Sequence, residues 1–134
     1  MKKVIAALAL IMGLGVVTAP VAQSHGLLCL ASAYQPTTTG PPRTMVYSGE
    51  YDCGSTSHDS ITLTLSLQRR QVGGSWVTVN TAFDTEGPTT RNFSAWISSI
   101  AFDCRKDYRT HTVGDASPGG HHNTANSSIL THTC

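Results

Sequence analysis

Between residues 60 and 68 apolar and polar side chains alternate without a break. Ile61, Leu63, Leu65 and Leu67 fall on one side, and Thr62, Thr64, Ser66 and Gln68 on the other. A period of two is that of a β-strand with one face on a core and the other in water. Gly73-Gly74 follows, able to take the positive φ that a tight reversal needs, and Trp76-Val77-Thr78-Val79 resumes with aromatic and β-branched residues. The stretch is expected to fold as a hairpin, with the second strand around Trp76.

The rest of the chain reads in the same units. Residues 27–34 form a short apolar strand around Cys29, ended by a loop at residues 35–44 whose Pro36, Gly40, Pro41 and Pro42 forbid regular structure. Residues 44–53 are a strand with a bulge expected at Ser48-Gly49. A turn at residues 54–59 leads into the hairpin, and Asp84, Glu86, Gly87 and Pro88 make residues 83–90 a polar crossover. Residues 91–104 are apolar throughout, with an alternation that slips at Ser98-Ser99. Strands are expected at residues 106–113 and 127–134, separated by a Gly/Asn/Ser loop at residues 114–126. Seven short strands without a helical period indicate an all-β sandwich.

The first residues change the picture of where this domain works. Lys2-Lys3, an apolar run from Val4 to Val17 and a polar stretch ending in Ala22-Gln23-Ser24 have the layout of a secretory signal. Small residues at the −3 and −1 positions favour cleavage after Ser24; cleavage after Ala22 would put Pro20 at −3. The expected division is a signal peptide at residues 1–24 and one domain at residues 25–134, secreted to the extracellular space. The apolar run is shorter than the ~20 residues of a membrane span, and no second stretch competes with it, so none is expected in the mature chain. The nine basic residues less Lys2 and Lys3 leave seven against eight acidic, a net charge of −1. No basic patch for nucleic acid is expected, and Arg69-Arg70 reads as a solvated edge. Four cysteines in a short exported chain read as two disulfides.

The cysteine closing the second strand (Cys53), the hairpin SLQRRQVGGSWVTV at residues 66–79, Cys104, and Tyr108-Arg109-Thr110 together carry a resemblance. The chain resembles a group of small secreted actinobacterial proteins with immunoglobulin-like or fibronectin-III-like sandwiches, over residues 44–134. The resemblance implies an extracellular module and no catalytic residue. In such a topology the strands at residues 27–34, 44–53 and 91–104 share one sheet, and the remaining four share the other. The start of the first strand and the end of the second then meet at one end of the sandwich, pairing Cys29 with Cys53. The start of the strand at residue 106 and the end of the last meet at the opposite end, pairing Cys104 with Cys134. The alternative, Cys53 with Cys104, would link opposite ends.

The same topology gathers histidines at the end that holds the N-terminus. A His25 exposed by signal cleavage can chelate Cu(II) through its α-amine and ring nitrogen, and one further imidazole completes a three-nitrogen set. His25 and His58 are the expected pair, with Asp59, His121 or His122 as additional donors. The His25-Gly26 start is similar to that of periplasmic copper carriers and copper polysaccharide monooxygenases, which implies an extracellular copper or zinc binder as the alternative function. The competing reading is that loop histidines are simply solvated, and that His111 and His132 are structural.

Other chemistry is thin. Trp76 and Trp96 are expected in the core or half-buried, and Tyr108 in a corner role that ties a loop through its hydroxyl. No GxSxG elbow or placed Ser, His and Asp set supports a hydrolase. The Asn92 and Asn126 sequons carry little information. Residues 37–43, rich in proline and threonine, suggest a substrate-like loop and hence a secreted protease inhibitor as a further alternative. The reading that best accommodates the chain is a non-enzymatic binding or surface-associated module without a cofactor. Its partner would be an extracellular protein or a cell-envelope ligand.

Overall fold

The computed structural model describes residues 29–40, 43–71, 73–119 and 121–132. The expected signal peptide, His25 and Cys134 lie outside them. Eight strands and no helix make up the described residues: β1 (Leu30–Thr38), β2 (Met45–Asp52), β3 (Ser60–Arg70), β4 (Val77–Glu86), β5 (Arg91–Ile97), β6 (Lys106–Ser117), β7 (His121–Asn126) and β8 (Leu130–His132). They form two sheets. One is β1-β2-β5; the other is β4-β3-β6-β7, with β8 also paired to β6. Every pairing is antiparallel. This is the expected partition, reached with eight strands rather than seven.

The alternation in β3 does what its period requires. Ile61, Leu63, Leu65 and Leu67 are buried, while the intervening Thr62, Thr64, Ser66 and Gln68 are not. They meet Met45, Tyr47 and Tyr51 of β2 and Tyr108 of β6 between the sheets. Apolar surface of this kind is worth about 25 cal/mol per Å² removed from water. The three tyrosines are the largest fully buried side chains of that core. The tryptophans do not belong to it: Trp96 sits on the edge strand β5 and stays 42% exposed, and Trp76 is half-buried outside the core.

Several expectations are corrected by small residues facing inward. The expected bulge at Ser48-Gly49 is absent: β2 keeps continuous register there with β1 and β5. Gly49 is glycine because a Cβ would come within 2.2 Å of the Thr112 hydroxyl. The register shift of this sheet lies instead in β1, between Tyr34 and Thr37, which lets the strand run past buried Pro36 to Thr38.

The expected loop at residues 114–126 is mostly strand. β6 continues to Ser117 and β7 returns from His121, paired from Ala116↔His121 to His111↔Asn126. Its inward residues, Thr110, Thr112, Gly114 and Ala116, are polar or small, so the burial alternates where hydrophobicity does not. β7 thus lies within the expected loop, and of the last expected strand, residues 127–134, the described part is strand only at β8. In the crossover, β4 persists to Glu86 before the Gly87-Pro88 turn. The segment after Ile97 is not strand, because Ser98 turns inward, donating to Ile100 O and accepting from Met45 N–H.

Candidate functional site

Two regions hold the side chains on which a function can be built. The first is the end of the sandwich where the β2–β3 turn and the β4–β5 turn meet. Leu30 pairs with Asp52 in the β1–β2 register, which sets Cys29 opposite Cys53, and these two form a disulfide. The antibody-like pairing of Cys53 with Cys104 is thereby excluded. No cysteine among the described residues is free, and Cys134, expected to bond Cys104, lies outside them.

His58 is fixed beside this disulfide by an isolated two-residue bridge. Its N–H donates to Thr89 O at 2.9 Å and its carbonyl accepts from Thr89 N–H at 3.0 Å. Gly87 permits the close approach of the two turns, since a Cβ there would lie 2.1 Å from Asp59 O. The His58 ring is buried and meets the buried ring of His121 edge-on, with centroids 5.3 Å apart. Nδ1 of His58 is enclosed without a hydrogen-bond partner.

The remaining expected donors are not gathered here. Asp59 is exposed on the turn. His122 points to the outer face of the β4-β3-β6-β7 sheet, its Nδ1 2.7 Å from Asp115 Oδ1, as strand alternation demands of the neighbour of an inward His121. His111 is in mid-sheet, opposite Ser66, with its Nδ1 2.7 Å from Asn126 Oδ1. His25 lies outside the described residues. The structure thus joins His58 to His121, a pairing the sequence offered only as an option.

The second region is the outer face of the β1-β2-β5 sheet. Register places Leu30, Ser32 and Tyr34 of β1, Val46, Ser48, Glu50 and Asp52 of β2, and Arg91, Phe93, Ala95 and Ile97 of β5 on this one side. Leu30, Tyr34, Phe93 and Ile97 are exposed, Ile97 by 64%. Tyr34 and Phe93 pack edge-to-face across β2, ring centroids 6.1 Å apart. Glu50 lies between them. It accepts the Tyr34 hydroxyl at 3.0 Å on one oxygen and Arg91 Nε at 3.0 Å on the other. That hydrogen bond to the carboxylate is the main reason the Tyr34 hydroxyl titrates above its usual 10.0.

None of these face residues was singled out by the sequence reading. The available signal was that residues 91–104 are apolar on both sides of the alternation, more than one core requires. The opposite outer face, by contrast, presents Thr62, Thr64, Ser66 and Gln68.

At the far end, the guanidinium carbons of Arg70 and Arg109 lie 4.5 and 4.3 Å from the Trp76 ring centroid. Arg70 is paired with Asp107 at 3.2 Å and Arg69 with Asp103 at 2.7 Å, while Arg109 donates to Gln68 at 2.7 Å. Burial, then the neighbouring Arg70, lowers the Arg109 pKa. Tyr108 plays the expected corner part, accepting from Asp103 N–H and donating to Asp103 O. Asn92, first residue of one sequon, is buried with its amide on Ile61 O and Asp84 O, so its side chain is not presented to solvent. The expected inhibitor loop is short, for Thr37 and Thr38 belong to β1 and Thr39 is tied to Thr44 through N–H to O at 2.8 Å.

No family model, curated protein or solved structure matches the chain. No helix among the described residues is long and apolar enough to cross a membrane.

Proposed function

We propose that the chain is a secreted, non-enzymatic binding module that uses the outer face of the β1-β2-β5 sheet to dock an extracellular protein. The sandwich is of immunoglobulin-like or fibronectin-III-like type, in line with the resemblance to small secreted actinobacterial proteins, and Cys104–Cys134 is its second staple. The Cys29–Cys53 disulfide is compatible with an oxidising compartment.

The carrying observation is the group of exposed apolar side chains on that face, with Asp52 and Arg91 at its disulfide end. Exposed Leu30, Tyr34, Phe93 and Ile97 surround a Glu50 whose two oxygens are already taken by Tyr34 and Arg91. A partner covering the centre of the face removes apolar area from water and meets at Glu50 an ion pair rather than a bare charge, leaving Asp52 at the rim. The usual penalty for burying an unpaired charge is therefore avoided. Aromatic side chains ordered by a contact of their own are suited to be anchors, since little freedom is left to lose on binding.

The test is to compare the wild-type secreted protein with Phe93→Asp by size-exclusion chromatography of the producing cell's own medium. The wild type is expected in a complex larger than the free domain, and the variant as the free domain. Equal elution of both as the free domain would contradict the reading.

A further inference from the structure

We propose that the reduced form of this chain holds a Zn(II) ion at the Cys29, Cys53, His58 and His121 cluster, so that the disulfide and the metal are alternative staples of the same end. One donor atom from each of Cys29, Cys53 and His58 lies within 4.8 Å of the others, and all three residues are buried. The ring of His121 stands 5.3 Å from that of His58, outside this group, with Nε2 against Gly119, and supplies the fourth donor on turning toward the sulfurs. Two thiolates and two imidazoles at tetrahedral positions are a preferred set for Zn(II), with donors separated by about 3.8 Å for sulfur pairs at ordinary Zn–S lengths. Reduction lets the two sulfurs part, and the fourth position is filled when the His121 ring turns from Gly119 toward them.

A second observation points to a ligand independently of the cysteines. Nδ1 of His58 is a buried polar atom with no partner, an arrangement that is unfavourable unless something satisfies it. A metal does so. The turn that carries Cys53 and His58 is held to the β4–β5 turn by the bridge to Thr89 and by the Cys53 N–H bond to Thr90 O at 2.9 Å.

The exchange balances with a dithiol as reductant. A dithiol thiolate attacks one sulfur, the Cys29–Cys53 bond breaks, and two electrons pass to the protein as the dithiol leaves as its own disulfide. Two protons complete the two thiols, and Zn(II) displaces both to solvent on binding. The reduced form is also that of the chain before oxidation, so the site competes with formation of the staple.

The experiment titrates the protein with Co(II), a spectroscopic stand-in for Zn(II), with and without dithiothreitol. The reduced protein is expected to bind one ion with thiolate-to-cobalt charge transfer and tetrahedral ligand-field bands, and to melt at a higher temperature with Zn(II) than without. The oxidised protein should show no thiolate band. His58→Ala and His121→Ala, which leave both cysteines and the disulfide in place, should each weaken binding roughly tenfold or more. Thiolate binding unchanged in both variants, or metal bound by a reduced chain that circular dichroism shows to be unfolded, would overturn the proposal. The docking face is untouched by these variants, so this outcome and that of Phe93→Asp are independent.

Discussion

The ring of Tyr51 lies against the backbone of Gly114, in the space that a Cβ would need. A Cβ built there falls 2.1 Å from Cδ1 of the tyrosine. This contact packs β2 of one sheet onto β6 of the other at the end that carries the disulfide. Gly114 is inward-facing and paired with Leu63 and Asn123, so neither strand can slip to relieve an added atom.

Gly114→Ala is therefore expected to destabilise the domain by about 1–3 kcal/mol, the usual cost of overpacking a core. Urea unfolding measures it. Tyr51→Leu in the same chain should recover part of the loss, because the clash is with the ring. A Gly114→Ala variant as stable as wild type, as an unstrained glycine replacement would be, contradicts this account of the interface.

Thr112 gives the opposite expectation. Its hydroxyl is buried without a hydrogen-bond partner, and its side chain is fully enclosed. Thr112→Val keeps the shape and removes the unsatisfied group, which should raise stability by about 1 kcal/mol. A loss of that size on substitution would mean that the hydroxyl is bonded in solution.

Strand period, disulfide and sheet partition were legible because each rests on a strong local signal. Leucines alternate with threonines in β3, and Cys29 and Cys53 flank strands that pair end to end. The extent of β6 and β7 was not legible, because Thr112, Gly114 and Ala116 are buried for their size rather than their hydrophobicity. The same cause hid the His58–His121 contact. His121 falls in the expected loop at residues 114–126, where nothing fixes its direction; in a strand paired to Ala116 it must point inward and His122 outward.

Burial makes Tyr47, Tyr51 and Tyr108 titrate above their ordinary value of 10.0. Each holds its proton more tightly in the folded chain than in the unfolded one. The stability this represents is complete below about pH 10 and is lost as pH rises through the folded values. Urea midpoints should be level from about pH 8 to 9 and fall above about pH 10, less steeply in Tyr51→Phe. A midpoint independent of pH across that range would show that the hydroxyls are not differentially protonated.

Replacing Cys29 and Cys53 together by Ala removes a cross-link across 24 residues. The chain-entropy relation gives a loss of about 3.5 kcal/mol, read as a lower urea midpoint with the spectrum of the folded domain retained at low urea. Stability within a few tenths of a kcal/mol of wild type would show that the register of β1 on β2 holds this end without the covalent bond.

The most direct test of the docking face puts a photoreactive phenylalanine analogue at Phe93 and, as a control, at Thr81, exposed on β4 of the opposite sheet. Irradiated in the medium of the producing cells, the Phe93 probe should form one discrete adduct with another protein, competed away by excess wild type but not by excess Phe93→Asp. The Thr81 probe should form none. Adducts equally abundant from both positions, or only with a second copy of this chain, would contradict a face built for an extracellular partner.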